Sequence, residues 1–192
     1  MYARSSPLKR TGQKDGAGEY RCTLGGLAQE GYLGLVRSFT IRKAVADEGD
    51  IGLIAPLFDS YRQFYDEPAD PGRAATFIRE RLEAGESVIL IAEAGGEGAT
   101  EALGFVQLYP SFSSVAARRI WVLNDLFVAS AARGSGVGRA LMEAAREHAI
   151  RTGAKRLTLE TTTENRRAWS LYENLGYVRQ SDSARFYSLE LD

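Results

Sequence analysis

A mixed α/β fold is what this sequence predicts, on three observations. From Phe39 onward, short alternating or apolar runs and amphipathic helical stretches follow one another in the order β-α-α-β-β-β-α-β-α-β-β. Two of the runs meet at Gly95-Gly96-Glu97-Gly98, a hairpin turn that places an antiparallel meander in the first part of the sheet. The later runs are joined through helices, as crossover units are.

Each element has its own signal. Phe39-Thr40-Ile41-Arg42 alternates as a strand. Asp50 is placed to cap a helix that carries Ile51, Ile54, Phe58, Tyr61 and Tyr65 at helical spacing, with Pro56 as an expected kink. Asp66 to Gly72 holds two prolines and reads as a loop. Phe77, Ile78, Arg81 and Leu82 are in phase on a second helix, which Gly85 stops. Ser87 to Glu93 and Leu103 to Tyr109 read as strands, Pro110 to Ala117 as a serine-rich loop, and Ile120 to Val128 as a long strand. A glycine turn, Arg133-Gly134-Ser135-Gly136-Val137-Gly138, leads into a helix with Val137, Leu141, Ala144 and Ala145 on one stripe, ending at Gly153. Arg156 to Glu160 is a further strand. Asn165 is placed to cap a helix with Ala168, Leu171, Tyr172 and Leu175 on one face, and Gly176 closes it. Tyr177-Val178 and Phe186 to Leu191 read as closing strands.

Composition bounds the function. The 192 residues, 44% hydrophobic and 26% charged, suit one domain with an extension. Residues 1–38 are rich in Gly, Ser, Lys and Arg without a sustained period and read as a flexible extension; residues 39–192 form the domain. A net charge of −1 gives no global reason to expect nucleic acid or a membrane surface as a partner. No apolar run is long enough to span a bilayer, and the cytoplasm is the expected location. One cysteine and one histidine leave too few ligands for zinc; with Cys22 in the extension and His148 mid-helix at the edge of the apolar stripe, no Cys–His or Ser–His–Asp nucleophile is expected.

The chain is organised around Asn124 to Met142: strand, glycine turn, helix. Such a turn leaves backbone N–H groups unpaired at a helix start, where the helix dipole adds positive charge, and phosphate or pyrophosphate is the natural ligand. A dinucleotide fingerprint fails, because its third glycine would fall at Arg139, and a P-loop fails for want of Gly-Lys-Ser/Thr.

What the turn does match is R-x-x-G-x-G, Arg133 to Gly138, and the run N-R-R-A-W-S-L-Y-E-N-L-G-Y from Asn165 to Tyr177 matches N-x-x-A-x-x-L-Y-x-x-x-G-F/Y. On these two motifs the chain resembles the GCN5-related N-acetyltransferase (GNAT) family over about Phe39 to the C-terminus. The resemblance implies a central twisted, mostly antiparallel sheet flanked by helices, and acetyl-CoA as acetyl donor with CoA as product. It implies that Arg133, Gly134, Ser135, Gly136, Val137, Gly138 and Arg139 bind the pyrophosphate, that Leu126, Phe127 and Val128 lie along the pantetheine arm, and that Asn165 and Tyr172 belong to the cofactor site. Tyr172 is then the general acid toward the leaving thiolate, a role that the nearness of phenol and thiol pKa values makes sensible. The backbone N–H of Val128 is implied as the donor to the developing oxyanion.

With no protein nucleophile in view, direct attack of a substrate amine on the thioester in a ternary complex is the expected mechanism, and the amine must lose a proton to a carboxylate or to water. Asp125 and Glu160 are the carboxylates to consider. The strand N-D-L-F-V is similar to E-D-F-F-V of the diamine (spermidine/spermine-type) branch, with the neutral Asn124 where that branch has a glutamate. Tyr61 and Tyr65, followed by Asp66, Glu67 and Asp70, put aromatics beside acids and could receive a cationic amine. The expected acceptor is therefore a small polyamine-like or amino-acid-like amine. A protein lysine or N-terminus is the alternative, and a non-catalytic acyl-CoA sensor the alternative of another class. A homodimer is a further expectation, since members of the resembled family often form dimers.

Overall fold

The computed structural model describes residues 20–23, 38–96 and 99–180. The chain divides into two compact units, Met1–Glu160 and Thr161–Asp192.

The first unit is built on one six-stranded sheet in sequence order: β1 Tyr20–Thr23, β2 Ser38–Lys43, β3 Val88–Gly96, β4 Ala99–Ser113, β5 Arg118–Val128 and β6 Leu157–Leu159. Every neighbouring pair is antiparallel except β5 and β6, which are parallel and joined by a helical crossover. Helices α1 (Glu48–Phe64) and α2 (Pro71–Glu83) link β2 to β3, and α3 (Val137–Arg151) links β5 to β6. Successive side chains of a strand face opposite sides of the sheet. Ile89, Ile91 and Phe105 join the core under α1 and α2, with Ile54, Phe58 and Ile78. The alternate residue Gly104 lies against Leu141 of α3. The two helical layers thus cover opposite faces of a mostly antiparallel sheet, in agreement with the expected fold class.

Several local expectations change. Asp47, not Asp50, caps α1: its Oδ1 accepts the Asp50 N–H at 2.8 Å. Asp50 is instead buried one turn in, where Arg42 clasps it at 2.6 and 2.8 Å and the Val45 N–H donates to it at 2.7 Å. The stretch Pro110–Ser113, read as loop from its serines, continues β4 because Arg118–Ile120 and Trp121 pair with it. Tyr20–Thr23, within the aperiodic N-terminal stretch, adds an edge strand to β2. The tip of the β3–β4 hairpin, residues 97 and 98, lies outside the described residues.

Gly104 shows how tightly β4, β5 and α3 meet. A Cβ there would lie 2.6 Å from the Phe127 carbonyl oxygen, 3.2 Å from the Val128 Cα and 3.3 Å from a Leu141 methyl. Backbone on one side and a buried leucine on the other leave nothing that yields easily. Gly104→Ala should therefore destabilise the protein by about 1–3 kcal/mol, the usual cost of overpacking, as read from the denaturation midpoint; an unchanged midpoint would show that β5 moves aside freely.

The second unit holds α4 (Arg166–Asn174), capped as expected by Asn165, whose Oδ1 accepts the Ala168 N–H at 3.3 Å. Gly176, at φ +85°, ends it in the left-handed conformation that glycine adopts without strain. Tyr177 and Val178, expected to open a closing strand, are irregular. The last expected strand, Phe186 to Leu191, falls outside the described residues.

Candidate active site

The site grows from a bulge in β5. Gln107 pairs with Asp125, but its neighbour Leu108 pairs with Leu123, so both Asn124 and Asp125 oppose Gln107. An extra residue of this kind increases local twist and re-aims side chains. Here it leaves Asn124 exposed and turns Asp125 inward, 4% exposed. Pairing of β5 with β6 runs from Trp121 to Leu123 and stops at the bulge. Beyond it β5 pairs with no strand on that side among the described residues.

The edge this exposes can be assigned atom by atom. The Ala129 N–H donates to the Leu103 carbonyl at 2.9 Å. In an antiparallel ladder hydrogen-bonded and non-hydrogen-bonded pairs alternate. Phe127 is therefore bonded to β4 through its own backbone, whereas Leu126 and Val128 turn their N–H and C=O groups to the free edge. The Val128 carbonyl confirms this, because the Arg133 Nε reaches it from that side at 3.1 Å. Of the three strand residues expected along the pantetheine arm, two offer backbone groups; Phe127 offers its ring, with the Arg133 guanidinium 5.6 Å from its centroid.

A short 3-10 turn, Ser130–Ala132, carries the chain from β5 to the glycines. Gly134 and Gly136 have φ of +85° and +89°. Gly136 is the N-cap of α3 and supplies no side-chain cap. The N–H groups of Val137, Gly138 and Arg139 begin a 15-residue helix and have no carbonyl one turn back to bond to. Residues Ser130 to Arg139 include two arginines and no acid, so the turn is an uncapped, cationic helix start. Ser135 is less available than expected, because its hydroxyl donates to the Ala132 carbonyl at 2.6 Å.

On the opposite side of the bulge, α1 brings the Tyr61 phenol near the Asp125 carboxylate. The Tyr61 ring meets Phe105 and Phe127, each 6.3 Å away between centroids, and Tyr65 at 5.1 Å. Burial pushes the Asp125 carboxyl above the ordinary range, against the stabilising effect of the neighbouring Tyr61 and Asn124. The Asn124 Nδ2 donates to its Oδ1 at 3.1 Å. Burial, and then the negative charge of Asp125, likewise raise the Tyr61 phenol, and they push Tyr109 up to about 12. Opposite Asp125, Gln107 is fully buried and its Nε2 donates to the Ser87 Oγ at 2.9 Å.

The acid that Tyr61 faces is thus Asp125, not the expected Asp66, Glu67 or Asp70. The loop after α1 has a structural task instead. Buried Asp59 accepts from the Asp70 N–H at 2.9 Å and from Gln63 at 2.9 Å, and Arg62 bridges to Glu67 at 3.3 Å. Glu160 is exposed one residue beyond β6. Tyr172, in the second unit, is half-buried on α4 with its ring 6.0 Å from that of Tyr177. Gln107 escaped the sequence reading as a candidate, for its position on β4 carries no motif.

Residues 54–177 match the acetyltransferase (GNAT) family model. An uncharacterized N-acetyltransferase of Bacillus subtilis, YhfO, is 52% identical over 132 residues, covering 69% of this chain and 86% of that protein. A probable acetyltransferase of Haemophilus influenzae is 32% identical over 146 residues, covering 76% of this chain and 95% of that protein. Among solved structures, a probable acetyltransferase superposes with a TM-score of 0.70 at 37% identity, over 79% of this chain and 97% of that one.

Proposed function

As the chain belongs to the acetyltransferase (GNAT) family and is an acetyl-CoA-dependent acyltransferase, we propose that it acetylates a primary amine of a small cationic molecule. The observation that carries this reading is the buried Asp125 beside Tyr61 in a wall of aromatic rings. A carboxylate in that setting is both a recognition group for an ammonium and a base with a pKa moved toward neutrality.

Acetyl-CoA supplies the thioester on which the amine acts. The residues present suit it. The N–H groups of Gly136 to Arg139 would hold the pyrophosphate, with Arg133 and Arg139 adding charge, and the free edge at Leu126 and Val128 would hold the amide-bearing arm. The Val128 N–H would be the donor to the thioester oxygen. Asp125 accepts the proton that the ammonium must lose. Asn124, uncharged and donating to Asp125, orients that carboxylate rather than acting as a second base. Tyr172 is proposed on its sequence motif as the acid toward the departing sulfur.

Release of CoA across a panel of polyamines, amino acids, aminoglycosides and peptides tests the acceptor class. Turnover confined to peptides would replace the small-molecule reading with a protein acceptor. Binding of acetyl-CoA with no turnover on any amine would leave only a sensor. For Tyr172→Phe, kcat should fall about 10²-fold, the lower bound for loss of an acid, with the KM for acetyl-CoA little changed; an unaltered kcat would retire the acid role.

A further inference from the structure

We propose that Tyr109 selects the acceptor, and that the amine it admits is a monocation carrying a neutral hydroxyl group a few bonds from the nitrogen, rather than a polyamine or an amino acid. This rests on the small-amine reading above and narrows it.

Position is the first argument. Side chains of a strand alternate between the faces of the sheet, so Phe105, Gln107 and Tyr109 of β4 share the face that α1 and α2 cover. Gln107 lies opposite Asp125, and Tyr109 follows it by two residues, about 7 Å at 3.4 Å per residue. The Asp125 carboxylate thus has two phenols in reach, Tyr61 from α1 and Tyr109 from β4, and its charge acts on both. Of Gln107 and Tyr109, only the second is available to a ligand. Gln107 is fully buried, and its amide is committed to Ser87 at 2.9 Å. Tyr109 is half-buried; no described residue accepts its hydrogen, and the oxygen is not enclosed, so it borders open space.

Charge is the second argument. Besides Asp125, the charged groups that act on Tyr109 are Arg81 and Glu86. These two pair with each other, Arg81 Nε to Glu86 Oε2 at 2.6 Å, so the charge left uncompensated is that of Asp125. One buried carboxylate answers one ammonium. A second ammonium, as in a polyamine, would find no free carboxylate beside Tyr109 and would lose its hydration without return. The carboxylate of an amino acid would meet the charge of Asp125, with Arg81 already engaged. Burial, and then the charge of Asp125, push the phenol up to about 12, so it stays neutral wherever an amine can react. A neutral group that both donates and accepts is the match for a hydroxyl.

Release of CoA from acetyl-CoA tests this with aminopropanol beside propylamine, glucosamine beside cyclohexylamine, and spermidine and alanine, using the native protein and Tyr109→Phe. For the hydroxylated amines, Tyr109→Phe should lower kcat/KM about 3- to 10-fold, the worth of one neutral hydrogen bond, and should do so through KM. For propylamine and cyclohexylamine it should leave kcat/KM unchanged, which also shows that the variant is folded. The ratio of variant to native is taken amine by amine, so differences in amine basicity cancel. A drop confined to aminopropanol would identify an open-chain amino alcohol as the acceptor, and one confined to glucosamine an amino sugar. An equal drop for both members of each pair, no drop at all, or a higher native kcat/KM for spermidine or alanine than for either hydroxylated amine would overturn the proposal. In those cases CoA is still released, and the acetyltransferase reading stands. Release with none of these amines would overturn the small-amine reading and this proposal with it.

Discussion

Gly136→Glu should abolish binding of acetyl-CoA and leave a folded protein. Two effects act together. Gly136 sits at φ +89°, and a side chain there strains the backbone by about 1–2 kcal/mol. The larger effect is electrostatic: a carboxylate at the N-cap of α3 would occupy the uncapped N–H groups and place negative charge where the cofactor's pyrophosphate is proposed to lie. Gly136→Ala separates the two, since it carries the strain without the charge. Acetyl-CoA at a hundredfold excess over Kd stabilises a binding protein by about 2.7 kcal/mol. The native chain and Gly136→Ala should show that gain in thermal denaturation and Gly136→Glu none. Retained stabilisation of the glutamate variant would place the pyrophosphate elsewhere.

The glycine turn could be read from sequence because its geometry is local: two left-handed glycines and a helix start within six residues say what the backbone must do. The same holds for the Asn165 cap and for the helical stripes. What escaped the sequence depends on pairing between distant segments. The bulge at Asn124 is a register shift against Gln107, and no residue type in N-D-L-F-V announces it. Asp125 turns inward only because of that shift, and Tyr61 meets it only because α1 crosses the same face of the sheet. Composition misled at Ser111 and Ser113, where cross-strand pairing outweighs poor strand propensity. Asp50 misled for the opposite reason: a good capping residue was needed more by Arg42 than by the helix.

The bulge makes the second large prediction. Asp125→Asn should lower kcat/KM for the amine by about 10²–10⁴-fold, the range for loss of a general base, without loss of stability. The charge explains both halves. Burial raises the Asp125 pKa, so the folded state holds this proton more tightly than the unfolded chain does. Stability from such a group is present at low pH and is lost as the pH rises through the folded pKa, so at neutral pH the native carboxylate is a liability. Asparagine keeps the shape and can still face Tyr61 and Gln107, but it needs no ionisation. The variant's melting temperature at neutral pH should therefore match or exceed that of the native protein. For the rate the sign is opposite: only the ionised form accepts a proton, so native kcat/KM should rise with pH through a limb above the ordinary carboxylate value of about 3.9, and Asp125→Asn should erase that limb. Kinetics across pH and a thermal melt decide it together. A variant that loses activity only because it unfolds would make Asp125 a structural acceptor, and one that keeps the limb would pass the base to another carboxylate, with Glu160 next to be tested.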